Sequence, residues 1–186
     1  MGRKWQILGV MLIVVLLGSM GCSSKHKLVA GAPDWVNQGS GAFDDAGSRV
    51  FYGVGAVAGI SSQTLAVQAA DQRARADIAR QLETLVSGLS RDYQSAMSAQ
   101  GAKPGVEEQQ LEQSLKTVTE VSVRGSRVVD HWKDAETNTV YSLVELDLDS
   151  FKAAISQLDA VDPAKRGFMA DNAEKTFDQL KGDVKK

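Results

Sequence analysis

The stretch from Ser61 to Gln100 constrains this chain most. Ala70, Ala74, Ile78, Leu82, Leu85, Leu89, Tyr93 and Met97 recur every three or four residues, the period of an amphipathic helix. The stripe begins small and ends large. Alanine early in it lets the helix approach a sheet closely. Ser61, Ser62 or Thr64 can cap the start, because a side-chain hydroxyl accepts from N–H groups that a first turn leaves unpaired. Gly88 weakens the helix locally, and the turn-forming run Gly101–Gly105 ends it.

Immediately before this helix, Val50–Gly59 alternates bulk with glycine. Such a strand is suited to lying close to another backbone. After the helix, Glu107–Lys116 suits a shorter helix. Thr117–Asp134 and Thr139–Asp149 are two β-rich runs separated by the short stretch 135–138, which predicts an antiparallel hairpin. In the second run Val140, Val144, Leu146 and Leu148 share a face by alternation. The apolar parity of the first run changes at Gly125–Ser126, which predicts a bulge there. A capped helix is expected to begin at Asp149 or Ser150. After Pro163, a last amphipathic segment places Phe168, Met169, Ala173, Phe177 and Leu180 on one side, a candidate surface for self-association. The order strand, long helix, hairpin, helix predicts an α+β fold. Its economical form is a small antiparallel sheet of about three strands with the long helix across one face.

The N-terminus has a different character. Arg3 and Lys4 precede an apolar run, Trp5–Leu17, and then the small or flexible residues Gly18 to Gly21. That order describes a secretory signal peptide, and the run is shorter than the roughly 18–20 apolar residues of a spanning helix. Cys22 follows directly. As the only cysteine among 186 residues, it has no internal disulfide partner. It has no companion ligands for a zinc cluster and no base nearby in sequence. Cys22 after Gly21, with Ser23–Ser24 behind it, resembles a bacterial lipobox, although Ser19 stands where such boxes usually have Leu. The resemblance implies that Cys22 carries a diacylglycerol and becomes the first mature residue. It also implies that Ser23, not being Asp, tilts sorting toward the outer membrane. The expected organisation is a signal peptide at 1–21 and an acylated cysteine with a flexible tether at 22–32. An α+β domain follows at 33–158, then a C-terminal helical segment with a charged tail at 159–186.

The formal charge is −2, and −4 once Arg3 and Lys4 leave with the leader. With no basic patch interleaved with aromatics, nucleic acid is not an expected partner. His26 lies in the tether. His131 neighbours Asp130, but adjacent strand residues point to opposite faces, so the two form no ready-made dyad. No nucleophile elbow or H-E-x-x-H appears, and the spaced glycines lack a phosphate-loop order. Asp44–Asp45 and the run Glu145, Asp147, Asp149 invite a calcium reading, yet the latter three alternate along one solvent face. Arg73, Arg75 and Arg80 form either a solvated face paired with Asp71 and Asp77 or a docking face for an anionic partner such as peptidoglycan or lipid headgroups. No catalytic residue, cofactor or metal is expected.

Trp35 beside Val36, the Tyr52-Gly53-Val54-Gly55 strand, and the helix with Ala70, Arg73, Ala74, Arg75, Ile78 and Ala79 resemble a known family. It is that of the twenty-kilodalton membrane-associated bacterial lipoprotein, related to flagellar outer-membrane lipoprotein domains. The hairpin with Trp132 and Tyr141 also fits. The resemblance spans Pro33–Phe151 and implies a non-enzymatic, lipid-anchored envelope protein. Its domain would face the periplasm and serve assembly or interaction at the outer membrane. The alternative it implies is a structural part of the flagellar basal body. The partners expected are membrane lipid through Cys22, and envelope proteins or a second copy of the chain.

Overall fold

A computed structural model describes residues 27–43, 49–99, 107–159 and 161–184. Contacts divide the chain into Met1–Ala30 and Gly31–Lys186, and every helix and strand described lies in the second unit. A short helix α1 (Asp34–Gln38) and a 3-10 turn (Gly39–Ala42) precede strand β1 (Val50–Val57) and the long helix α2 (Gln63–Ala99). Helix α3 (Glu107–Arg124), the hairpin of β2 (Arg127–Lys133) and β3 (Val140–Asp147), α4 (Leu148–Ser156) and α5 (Pro163–Val184) follow. The sheet is antiparallel, in the order β1-β3-β2. The fold is thus α+β, with the long helix packed on a three-stranded sheet.

The taper of the stripe explains how α2 is seated. Its 37 residues span about 55 Å at 1.5 Å per residue, longer than the sheet. Ala66, Ala70 and Ala74 lie over the strands, packed with Val57, Val140, Phe51 and Val144. Farther along, Leu82, Leu85 and Leu89 leave the sheet and bury themselves among Leu115, Val118, Phe151, Ile155, Met169 and Phe177. β1 supplies the other half of the close approach. A Cβ on Gly53 would overlap the Ala74 carbonyl oxygen and come within 2.8 Å of Ile78 Cγ1. One on Gly55 would overlap the Ala70 carbonyl oxygen and reach 2.9 Å from the Arg73 carbonyl carbon. The glycines of β1 lie against another backbone, as their alternation predicts. Ser62 caps α2: its hydroxyl accepts from Leu65 N–H at 3.5 Å, and its carbonyl from Ala66 N–H at 2.9 Å.

Three sequence expectations need correction. Thr117–Arg124 is helical, not strand, because α3 continues to Arg124. Its β-branched residues favour strand locally. However, Leu115, Val118, Thr119 and Ser122 are buried at helical spacing, and packing on α2 outweighs propensity. Gly125 accordingly ends a helix, its N–H donating to the Val121 and Ser122 carbonyls. The bulge falls at Val129, where the β2–β3 register shifts between Val128 and Asp130. Helix α4 begins one residue earlier than expected, capped by Asp147 rather than Asp149 or Ser150.

The C-terminal stripe is internal. Met169, Ala173 and Phe177 are buried in the main core, so this face is not a surface for self-association. Phe177 packs edge-on to Phe51, and Phe168 to Tyr93. A Cβ on Gly88 would meet Thr176 Cγ2 at 2.8 Å, so the glycine that weakens α2 makes room for α5. The sheet face away from α2 is partly covered. Trp35 is 6% exposed, Phe43 stacks on Tyr52 of β1 at 3.9 Å, and Leu143 of β3 is 2% exposed.

Candidate functional site

Helix α2 carries polar side chains on both flanks of its alanine stripe, and the chemistry-bearing residues of the sheet meet them there. On the β2 flank Asp71 follows Ala70 and faces His131 and Ser142, which are paired neighbours across β2 and β3. His131 Nε2 lies 2.7 Å from Asp71 Oδ1, and the Ser142 hydroxyl donates to the same oxygen at 2.6 Å. The three residue types are those of a serine hydrolase, but the connectivity differs. A nucleophilic serine needs a base to receive its proton, with the carboxylate behind that base. Here the carboxylate is central, and both donors converge on one oxygen. Ser142 is fully buried, so its hydroxyl offers a substrate no approach. The arrangement ties α2 to β2 and β3.

His131 therefore has a carboxylate partner, but it is Asp71 rather than the neighbouring Asp130. Asp130 points to the other face. One of its oxygens accepts from Trp35 Nε1 at 3.2 Å, the other from the His131 N–H at 2.8 Å. Trp35 is thereby fixed against the sheet, joining the segment before β1 to β2. Asp71 was the residue that sequence reasoning did not single out as functional. Its one signal is position: it is an acid one residue from a buried alanine on a helix that must lie on the strands.

Two of the three arginines are engaged within the domain. Arg73 Nη1 donates to the Ala56 carbonyl at 2.5 Å, and Arg80 pairs with Asp77 at 2.8 Å. The acidic run of β3 is divided among three tasks. Glu145 pairs with Arg127, Asp147 accepts from the Ser150 N–H and hydroxyl at 2.6 and 2.8 Å, and Asp149 lies in the first turn of α4. Burial pushes the Asp147 carboxyl up, but the Ser150 hydrogen bonds outweigh it and leave the group below its ordinary range. Among the described residues, no group of three or more His, Cys, Asp and Glu side chains is placed to hold a metal ion. Cys22, His26 and Asp44–Asp45 lie outside the described residues.

A second polar cluster holds α5. Arg49, just before β1, contacts Glu174 at 2.7 Å and Asp178 at 3.2 Å. Lys152 of α4 also reaches Glu174 at 2.7 Å. The Lys152 hydrogen bond, with Arg49 nearby, holds the Glu174 carboxyl below its ordinary value. The same bond raises Lys152.

These placements define a class: a small α+β domain in which a glycine strand is locked beneath a long alanine–leucine helix. The described polar clusters serve chiefly to fasten its elements together. The family model of the LPP20 lipoprotein matches residues 33–147, and the chain belongs to that family of cell-envelope lipoproteins. The match covers Trp35, the glycine strand, α2 and the hairpin; α4 and α5 lie beyond it. Among curated proteins none matches the chain. Among the described residues no helix is long and apolar enough to cross a membrane.

Proposed function

We propose that this chain is a non-enzymatic lipoprotein held at the outer membrane by acyl chains on Cys22, with its α+β domain in the periplasm serving assembly or interaction. The observation that carries the reading is the pairing of two features. A short leader runs directly into the chain's single cysteine, and a lipoprotein-family domain begins eleven residues later, at residue 33. Acylation supplies an anchor that does not depend on a spanning helix. Each buried methylene contributes about 0.8 kcal/mol, and two chains make attachment stable. The tether also sets a distance. From Cys22 to Ala32, the first buried residue among those described, ten residue steps reach about 35 Å at most. The domain therefore works close to the bilayer. Within that domain the contact of Asp71, His131 and Ser142 fastens helix to sheet.

Metabolic labelling with an alkyne fatty acid tests the anchor. The wild type is expected to take up label and to fractionate with outer-membrane vesicles on a density gradient. Cys22→Ala is expected to lose the label and leave the membrane fraction. Equal labelling of both would refute acylation at Cys22, and a labelled wild type in the inner-membrane fraction would refute the outer-membrane assignment.

A further inference from the structure

The flank of α2 opposite Asp71 carries Arg73, Asp77 and Gln81, four residues apart and so in a row along the helix. All three reach the outer edge of β1. Gln81 Nε2 donates to the Tyr52 carbonyl at 2.8 Å, Val54 N–H donates to Asp77 Oδ2 at 3.2 Å, and Arg73 Nη1 donates to the Ala56 carbonyl at 2.5 Å. Tyr52, Val54 and Ala56 are alternate residues. In an antiparallel ladder alternate residues turn their backbone groups to the same side, and here that side faces away from β3. The row engages the Tyr52 carbonyl, the Val54 N–H and the Ala56 carbonyl, three of the outward groups with which an added strand would pair. A free strand edge is a template for pairing with another chain.

We propose that Arg73, Asp77 and Gln81 act as a surrogate strand that closes the β1 edge to strand addition by a second copy of this chain. The geometry explains why side chains take this task. Gly53 and Gly55 hold the α2 backbone against β1, so the helix flank overhangs the edge within side-chain reach. The other edge of the sheet is closed by different means. β2 is interrupted by the bulge at Val129, and its His131 N–H is taken by Asp130. The bulge twists an edge away from pairing. Closure has a use in a protein concentrated on a membrane, where copies meet often and in similar orientation. The closure itself stands on the hydrogen bonds and does not depend on acylation.

The test uses the full chain, purified in detergent, and the double variant Asp77→Ala/Gln81→Ala. Sedimentation velocity over a concentration series reads self-association, and amide exchange reads protection at Val54. In the wild type the Val54 amide is expected to be protected although its strand lies at an edge. In the double variant at low concentration its exchange is expected to rise at least tenfold. The double variant's self-association constant, fitted over the concentration series, is expected to be at least tenfold tighter than that of the wild type. Adding Val54→Pro removes the N–H at the edge, where proline is tolerated, and is expected to return association to the wild-type level. Unchanged sedimentation of a folded double variant would overturn the proposal, as would association that Val54→Pro does not reverse. Should the double variant lose its far-UV circular dichroism, Asp77→Ala alone, which also frees the Val54 N–H, carries the same measurements and the same two outcomes.

Discussion

At the scale of single residues, the domain depends on atoms that are missing. Gly53 and Gly55 are required because the Ala74 and Ala70 carbonyls occupy the space a side chain would need. Backbone cannot swing aside as a flexible side chain can. Gly53→Ala is therefore expected to destabilise by about 3 kcal/mol, the upper part of the range for overpacking, as measured by urea denaturation. Gly167 provides the control. It lies in α5 with nothing within 4 Å of where its Cβ would be, so Gly167→Ala should stabilise by about 0.5–1 kcal/mol through helix propensity alone. A loss of stability in Gly167→Ala, or none in Gly53→Ala, would contradict the packing described. Asp71 makes a complementary case. Asp71→Ala would leave the fully buried Ser142 hydroxyl without its acceptor, at a cost of about 1–3 kcal/mol, whereas Asp71→Asn keeps a side-chain acceptor and should cost less. The glycines were legible in the sequence because their alternation is local. The Asp71 contact was not, since its partners lie 60 and 71 residues away and depend on hairpin register and helix rotation together.

At the scale of elements, α5 is held by charges as well as by its apolar stripe, and the charges set a pH dependence. Glu174 has its pKa lowered below its ordinary 4.5 by the Lys152 hydrogen bond and by Arg49. A depressed carboxyl contributes stability above its unfolded pKa, and the contribution disappears as pH falls through the folded value. Lys152 has its pKa raised above its ordinary 10.5 by the same partner. Its contribution is present below 10.5 and disappears as pH rises through the raised value. The Arg49–Glu174–Lys152 contact should thus be at full strength at neutral pH and lose its acid half below about pH 4.5. Glu174→Gln is expected to lower the melting temperature modestly at pH 7 and to narrow the difference between pH 7 and pH 3. Salt should reduce the wild-type advantage, because these side chains are solvent-accessible. Thermal melts at the two pH values, with and without 0.5 M NaCl, measure this; an acid sensitivity identical in both proteins would show that Glu174 is not its source. Elements were unevenly legible. The period and taper of α2 run through the sequence without interruption, so both the helix and its seat were predictable. α3 was misassigned at Thr117–Arg124 because β-branched residues gave a local strand signal, while the burial at 115, 118, 119 and 122 has meaning only once α2 is beside it. The order helix then strand was right, and the break between them lies at Gly125 rather than after Lys116.

At the scale of the whole molecule, the core continues past the family match at residues 33–147. Beyond it, α4 and α5 bury Phe151, Ile155, Met169, Ala173 and Phe177 against Leu82, Leu85 and Leu89 of α2. The far half of α2 extends beyond the sheet, so without these two helices its leucines would keep only the cover of α3. Amphipathic periodicity revealed the stripe on α5 but not its occupant: one apolar face looks the same whether it meets its own core or another molecule. Gly88 carried the missing information, as its cavity fits Thr176, but a helix-weakening glycine discloses no partner on its own. Ending the chain after Asp162 should consequently unfold the domain rather than remove an appendage. Large-to-small changes at buried Met and Phe positions cost about 2–5 kcal/mol each, and a domain of this kind has about 5–15 kcal/mol in total. Losing Met169, Ala173 and Phe177 together takes away a comparable amount. The truncated chain is expected to lose near-UV circular dichroism and cooperative urea unfolding and to be degraded rapidly by protease. Phe177→Ala in the full chain grades the same effect without deleting the helix, with an expected loss of about 3–5 kcal/mol. A truncated chain that unfolds cooperatively at the wild-type urea midpoint would show that residues 33–162 hold together unaided and that α5 is an attachment to a finished domain.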